Sequence, residues 1–419
     1  AKLLGHDVRG KALAEGARGH ARTRIEANGK IAVTELSSWL GVTQPLPVNG
    51  LLPYRLRLTL EGADSQLRVD SNLQGLAIAL PAPFGKTADS KRQTEWRMSL
   101  GGREQRYWLD YADLASLSFA ASPGQFSQGR GELRLADGPS SLPTSPGLRV
   151  RGRVAEFDWA AWQQVLQPYR NLPKNDAQQL FKDAQLQIAR FSGFGISLDA
   201  LAVSLQREAQ AWAVTLDSER LKGRVDLADA AQAPIVLKLD YVRLPAAEPK
   251  LKTEVLVDPP DALASVDPRQ IPALDVHIAT LYQGQDAIGS WSLKARPSAD
   301  GVLLSELDLN LKGLKISGNA GWQGAPGASS SWYKGRMAGA DLADVLLAWG
   351  FAPTASSESF RMDVDGNWPG SPAWFAMKRF NGSLDVAMRK GQFSEVQGSA
   401  SALRVFGLLN FNSIGRRLR

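Results

Sequence analysis

The sequence predicts a mainly β protein, built as a long antiparallel sheet or several such sheets. Three observations point there. Apolar and polar residues alternate with period two along most of the chain, turn residues separate the alternating runs, and stretches with helical periodicity are few.

The alternation places Tyr54, Leu56, Leu58 and Leu60 on one face of a strand and Arg55, Arg57 and Thr59 on the other, because successive strand side chains point to opposite sides. The same rhythm sets Leu148, Val150 and Val154 against Arg149, Arg151 and Arg153, and Ile235, Leu237, Leu239 and Tyr241 against Lys238 and Asp240. Further on, Leu307, Leu309 and Leu311 oppose Asp308, Asn310 and Lys312, and Leu384, Val386 and Met388 close the series. One wet and one dry face is the signature of an antiparallel sheet, since a strand buried on both sides reads as a continuous apolar run. Hairpin turns are expected at Glu61-Gly62, Gly101-Gly102, Ala136-Asp137-Gly138, Ser298 to Gly301 and Asp365-Gly366-Asn367, where Gly, Asp and Asn supply turn conformations.

Helices are expected at Asp158 to Tyr169, Asp176 to Ala184 and Asp341 to Gly350, with further candidates at Ser371 to Lys378 and Ser399 to Leu409. Asp158 and Asp341 suit N-caps, because a carboxylate there accepts the otherwise unpaired first amides. An internal repeat marks two of these sites: RGRVAEFDWAAW from Arg151 and KGRMAGADLADV from Lys334 align Gly152 with Gly335 and Asp158 with Asp341. Segments rich in Gly, Pro and Ser at Asp137 to Gly147 and Gly324 to Ser331 suggest boundaries near 140 and 325. Three parts are therefore expected, 1–140, 141–325 and 326–419, with Pro245 to Pro260 as a weaker break.

Composition limits the chemistry. The 419 residues hold no cysteine and three histidines, which excludes disulfide scaffolds, thiol nucleophiles and cysteine-ligated metals. His6, His20 and His277 show no paired ligand spacing, and no HExxH, GxSxG, P-loop or dinucleotide fingerprint occurs. The carboxylate pairs Asp363 with Asp365 and Glu156 with Asp158 fit a solvated strand face and a helix cap better than a glycosidase dyad. No enzyme class, cofactor or metal is indicated. The formal charge of +7 is modest, and much of it lies at the carboxyl end, where eight Lys and Arg from Gly370 onward meet two acidic residues. A solvated basic face explains that excess better than nucleic acid or an anionic membrane surface. The twelve tryptophans, among them Trp159, Trp162, Trp349, Trp368 and Trp374 around the helix candidates, suit core packing or an apolar–polar boundary. No apolar run reaches the roughly 18 residues of a membrane-spanning helix.

The run from Asp363 to Leu418 resembles the AsmA-like carboxyl-terminal region, and closely that of the YhdP branch of the superfamily. The resemblance is carried by the Trp368-Pro369-Gly370-Ser371-Pro372 turn, a Gly382 to Phe393 hairpin with Gly391 before Phe393, and the Leu403 to Leu418 segment ending in Gly415-Arg416-Arg417. The repeat around Asp341 also fits it, and upstream the likeness is one of strand rhythm. It implies a large Gram-negative protein held in the inner membrane by an amino-terminal helix outside this sequence, projecting into the periplasm and continuing past Arg419. It also implies a bridge-like lipid carrier whose twisted sheet curls into an open, taco-like apolar groove. In that reading the partners are phospholipid acyl chains and the inner and outer membranes, with no nucleic acid. The activity is non-enzymatic phospholipid transport that maintains the outer-membrane permeability barrier. The groove lining expected from the alternation is then Tyr54, Leu56, Leu58, Leu60, Val150, Leu237, Leu239, Leu309, Leu384 and Val386. The alternatives are a closed sandwich core behind the same residues and a periplasmic scaffold without lipid cargo.

Overall fold

A computed structural model describes residues 2–3, 6–15, 22–42, 44–169, 180–194, 196–230, 232–246, 260–349, 352–353 and 355–393. Among these residues the chain is mainly β, with three short helices, and no strand pairing closes the sheet into a barrel. It divides into two compact units, 1–207 and 208–419.

In the first unit, β1 (Lys2–Leu3), β2 (His6–Glu15) and β3 (Arg22–Ala32) lead into helix α1 (Val33–Trp39) and β4 (Val48–Leu60). β5 (Gln66–Ser71), β6 (Leu76–Ile78), β7 (Thr94–Ser99), β8 (Gln105–Tyr111), β9 (Ala115–Ala121), β10 (Arg130–Leu135) and β11 (Gly147–Asp158) follow. Helix α2 (Trp159–Leu166), β12 (Phe181–Gly193) and β13 (Ile196–Arg207) complete it. The strands pair in sequence order, except that β6 leaves the order to pair with the start of β4, so that β5 meets β7.

The second unit contains β14 (Ala211–Asp217), β15 (Leu221–Ala228), β16 (Ile235–Leu244), β17 (Leu274–Gln283), β18 (Asp286–Pro297), β19 (Gly301–Leu311), β20 (Leu314–Gln323) and β21 (Ser330–Gly339). Helix α3 (Leu342–Ala348), β22 (Ala355–Ser356), β23 (Ser359–Pro369), β24 (Asn381–Arg389) and β25 (Gln392–Phe393) follow. β14 to β21 pair consecutively, then β21 with β23 and β23 with β24.

The sheet is mixed, which corrects the antiparallel expectation: β10 with β11, β11 with β12 and β16 with β17 run parallel. Each parallel pair needs a crossover connection. The first is the segment after Leu135, where Ala136, Asp137 and Gly138 all have positive φ but start a crossover instead of a hairpin. This segment lies over the polar face of β9 and β10. Ser140 Oγ meets Ser116 Oγ and Ser118 Oγ at 2.9 and 2.8 Å, and Ser141 donates to Glu132. That cover explains why Ser116, Ser118 and Glu132 are buried on a face that is otherwise charged.

The turns at Glu61-Gly62, Gly101-Gly102 and Ser298 to Gly301 form where expected, the last closed by the Ser298 amide on Gly301 O at 2.8 Å. Asp365-Gly366-Asn367 instead lies inside β23, with Gly366 against the Phe380 ring at a distance that a Cβ would not allow. Residues Gln392–Phe393 pair with Ala355–Ser356, so the expected Gly382 to Phe393 hairpin does not close on itself.

Two expected helices form as α2 and α3. The Asp158 carboxylate accepts the Ala161 amide at 2.7 Å, and Asp341 accepts the Ala343 amide at 2.9 Å and the Ser357 amide at 3.0 Å. The repeat is therefore real as a unit: a strand with a mid-strand glycine, then an aspartate cap, then a short helix. Gly152 has φ +119, and a Cβ there would lie 2.0 Å from Leu135 O, so the strand passes its neighbour too closely for any other residue. Of the expected Asp176 to Ala184 helix, residues 176–179 lie outside the described residues, Leu180 is helical, and Phe181 to Ala184 belong to a strand because Phe181, Asp183 and Ala184 pair with β11. Ser371 to Lys378 resolves into two single 3-10 turns, Pro372–Trp374 and Met377–Arg379. Helix α1 is not foreshadowed, and Ser399 to Leu409 lies outside the described residues.

Candidate functional site

In the first unit the inter-strand register converts the alternation into continuous apolar rows. One runs from Ala27 through Leu56, Val69, Trp96, Leu109, Leu117 and Leu133 to Val150, Ala184 and Leu205. A second, parallel to it, passes Ile25, Leu58, Leu67, Met98, Tyr107 and Phe119. Opposite Phe119 the row continues at Gly131, where a Cβ would sit 2.6 Å from the Phe119 ring; the missing side chain gives the ring its place.

The reverse face is a charged ladder. Glu26, Arg57, Arg68 and Arg97 stand opposite one another on successive strands. Arg68 contacts Asp70 at 3.0 Å and Glu95 at 2.7 Å, and Arg97 contacts Glu95 at 3.0 Å. Cross-strand pairs of opposite charge hold register and keep this face in water.

Between β4 and β11 the side chains of these rows are half-buried, and Ala184 beyond them on β12 is buried at 8%. Leu56, Leu58, Leu67, Val69, Trp96, Met98, Leu109, Leu117, Leu133 and Val150 all keep part of their surface accessible. Among the described residues the largest cover of these strands lies at the end carrying α1, and at the opposite end the Phe126 ring packs on Tyr107 and Phe119 at 5.9 and 6.5 Å. At the α1 end Val33, Leu73 and Leu76 are buried against Leu52, Ile78 and Tyr111. The segment between β5 and β7 is pinned there by Lys86, whose ammonium donates to Leu73 O and Thr87 O at 2.9 and 2.7 Å. Loss of water and the neighbouring Arg92 charge push its pKa down. Tyr111 Oη donates to Phe84 O at 2.7 Å, and Phe84 meets Trp162 of α2 edge-on at 6.1 Å. Away from that end, desolvation alone raises the Tyr54 and Tyr107 phenols, as expected of hydroxyls on an apolar surface.

The second unit supplies the contrast. Its row Leu239, Ile278, Trp291, Leu309, Ile316, Met337, Met362, Val386 is equally continuous, but polypeptide covers its middle. Under α3, Ile316 is 2% exposed, Met362 1% and Leu346 of the helix 0%. Farther along the same strands Leu263 and Ile271 pack over Ala295, Val302 and Trp322. That cover is held by Asp261, which accepts from the Ser371 amide at 2.7 Å and the Ser371 hydroxyl at 2.6 Å. On β14 to β17, Val214, Val225, Leu237 and Val276 form a shorter half-buried row.

The ten residues expected to line a groove separate accordingly. Tyr54, Leu56, Leu58 and Val150 lie on the half-buried face of the first unit, with Leu56 and Val150 in one row. Leu60 sits at its open end, 41% exposed. Leu237 is half-buried, and Leu239 is buried at 7%. Leu309 and Leu384 pack against the cluster under α3, and Val386 on β24 is 41% exposed. Leu67, Val69, Trp96, Met98, Leu109 and Leu117 also lie on the half-buried face of the first unit; QLRVDS, TEWRMS, QRYWLDY and ASLSFAA carry the same alternation, over runs too short to stand out in the sequence.

Among the described residues no group of three or more His, Asp or Glu is placed to hold a metal, and no helix is long and apolar enough to cross a membrane. His6 meets Glu35, His277 is exposed on β17, and His20 lies outside the described residues. Asp363 and Asp365 share a strand face, as expected, and there they pair with Arg336 at 2.8 Å and Lys334 at 2.7 Å.

Comparison with known proteins adds one positive finding: the family described as YhdP protein matches residues 1–419. Nothing matches among the curated proteins or the solved structures. The chain belongs to the YhdP family, which is of lipid-transport type and not a known enzyme class.

Proposed function

We propose that this YhdP-family chain is a non-enzymatic phospholipid carrier of the periplasm, whose apolar sheet face holds acyl chains on their way between the inner and outer membranes. The observation that supports the reading is the difference between two equivalent surfaces. Where α3 lies on the apolar rows, their side chains fall to a few per cent exposed. On β4 to β10 of the first unit, rows of the same composition stay half-buried. Contiguous apolar surface of that extent marks a binding site.

Acyl chains suit it. Each buried methylene contributes about 0.8 kcal/mol, the attraction has no direction, and successive strands offer equivalent positions about 4.8 Å apart. A lipid is thus held firmly in sum yet free to slide along the row. The sheet curls around the chains, and headgroups stay in water at the open Leu60 end. The charged reverse face keeps the loaded sheet soluble.

Organic extraction of the purified chain followed by mass spectrometry tests this. Diacyl phospholipids co-purify with wild type, and Leu58→Glu or Leu117→Glu lowers their amount severalfold while far-UV circular dichroism is unchanged. Lipid-free wild-type protein, or glutamate variants that retain full lipid, would contradict the proposal.

A further inference from the structure

On the charged face of the first unit, Arg22 and Arg24 of β3, Arg57 and Thr59 of β4, and Gln66 and Arg68 of β5 line a single depression of about 390 Å³. The register brings them together: Arg24 stands opposite Thr59 and Thr59 opposite Gln66, while Arg57 stands opposite Arg68. Every lining side chain offers N–H or O–H donors, and no carboxylate is among them.

Carboxylates stand around the rim and satisfy the arginines unequally. Arg68 is held by Asp70 at 3.0 Å and Glu95 at 2.7 Å. Glu61 lies 3.4 Å from Arg22 Nε, and that buried nitrogen has no hydrogen-bond partner. Glu26 lies 3.6 Å from Arg57 and divides itself with Lys11 at 3.3 Å. These are longer than the roughly 2.7–2.9 Å of a charge-assisted bond, so guanidinium capacity is left over in the floor of the depression.

We propose that this depression binds a phosphate-bearing anion. A guanidinium fork matches two oxygens of a tetrahedral anion, and the loosely paired forks of Arg22 on β3 and Arg57 on β4 can serve one phosphate or diphosphate from two sides, beside the charge of Arg68 on β5. A lone carboxylate, with two oxygens and one charge, occupies a single fork. The site uses the face opposite the apolar rows, so it stands or falls independently of the acyl-chain reading.

The full chain titrated calorimetrically with inorganic pyrophosphate at low salt shows saturable binding that weakens as salt rises. Arg22→Gln combined with Arg57→Gln weakens it at least about tenfold, Arg57→Lys gives an intermediate loss because charge without the fork remains, and Arg153→Gln on β11 leaves it unchanged. Flotation with phosphatidylcholine vesicles, with and without phosphatidic acid, identifies the source. Phosphatidic-acid-dependent flotation that the double variant loses assigns a lipid headgroup; pyrophosphate binding without flotation assigns a soluble phosphate compound. Absence of both, or binding that the double variant retains in full, overturns the proposal.

Discussion

Among single residues, exposure separates packing from function. Leu346 and Met362 are enclosed on all sides, so truncating either leaves a cavity that neighbours fill only in part. Leu346→Ala or Met362→Ala should cost about 2–5 kcal/mol, read as a lowered midpoint in denaturant unfolding. Leu117 and Leu67 have the same chemistry on a face that leaves them half-buried among the described residues, so little cavity forms when they shrink. Leu117→Ala should cost under about 1.5 kcal/mol, since only part of the side chain leaves water on folding. Equal, large losses at both classes of site would mean that the face of the first unit is an ordinary core. The arginines opposite are a separate case, because their spacing on three strands matters more than the burial of any one.

For whole elements, the caps of α2 and α3 carry a pH signature. The Asp341 carboxyl is held below its ordinary range by the Ser357 amide and then the Ala343 amide, and Asp158 by the Ala161 amide and then the Ser192 hydroxyl. A carboxyl lowered in the folded state stabilises that state above its ordinary pKa, and the contribution is lost as pH falls through the lowered value. The melting-temperature gap between wild type and Asp341→Ala should therefore be widest near neutrality and narrow below about pH 4; a gap that grows on acidification would contradict the assignment. These two caps were legible in the sequence because aspartate stood before an apolar helical run in both copies of the repeat. The strands were legible where the alternation lasted long enough, as in Tyr54 to Leu60. What stayed hidden was set by distant partners. The parallel pairing of β10, β11 and β12 depends on where crossovers return, and positive φ at Ala136 to Gly138 is as compatible with a crossover as with a hairpin. The inserted β6, and the roof that it builds with α1 and α2, depend on Phe84 meeting Trp162, residues far apart in sequence.

Seen as a whole, the molecule reads as sheets with unlike faces, one apolar and partly roofed, one charged and self-paired. Of the lining expected from sequence, Leu56, Leu58 and Val150 fall on the unroofed part, whereas Leu239 and Leu309 fall where polypeptide buries or packs against them. Alternation identifies a dry face but is silent about what covers it, since the cover comes from segments such as Leu342–Ala348 and the stretch held by Asp261. The central claim is that hydrocarbon supplied from outside completes the unroofed rows. A photo-reactive side chain placed in turn at positions 107, 108, 109 and 110 of β8, away from the arginine depression, with irradiation in cells and mass analysis of adducts, tests it most directly. Lipid adducts at 107 and 109 with none at 108 and 110 are the predicted result; adducts at all four positions, or at none, would contradict it.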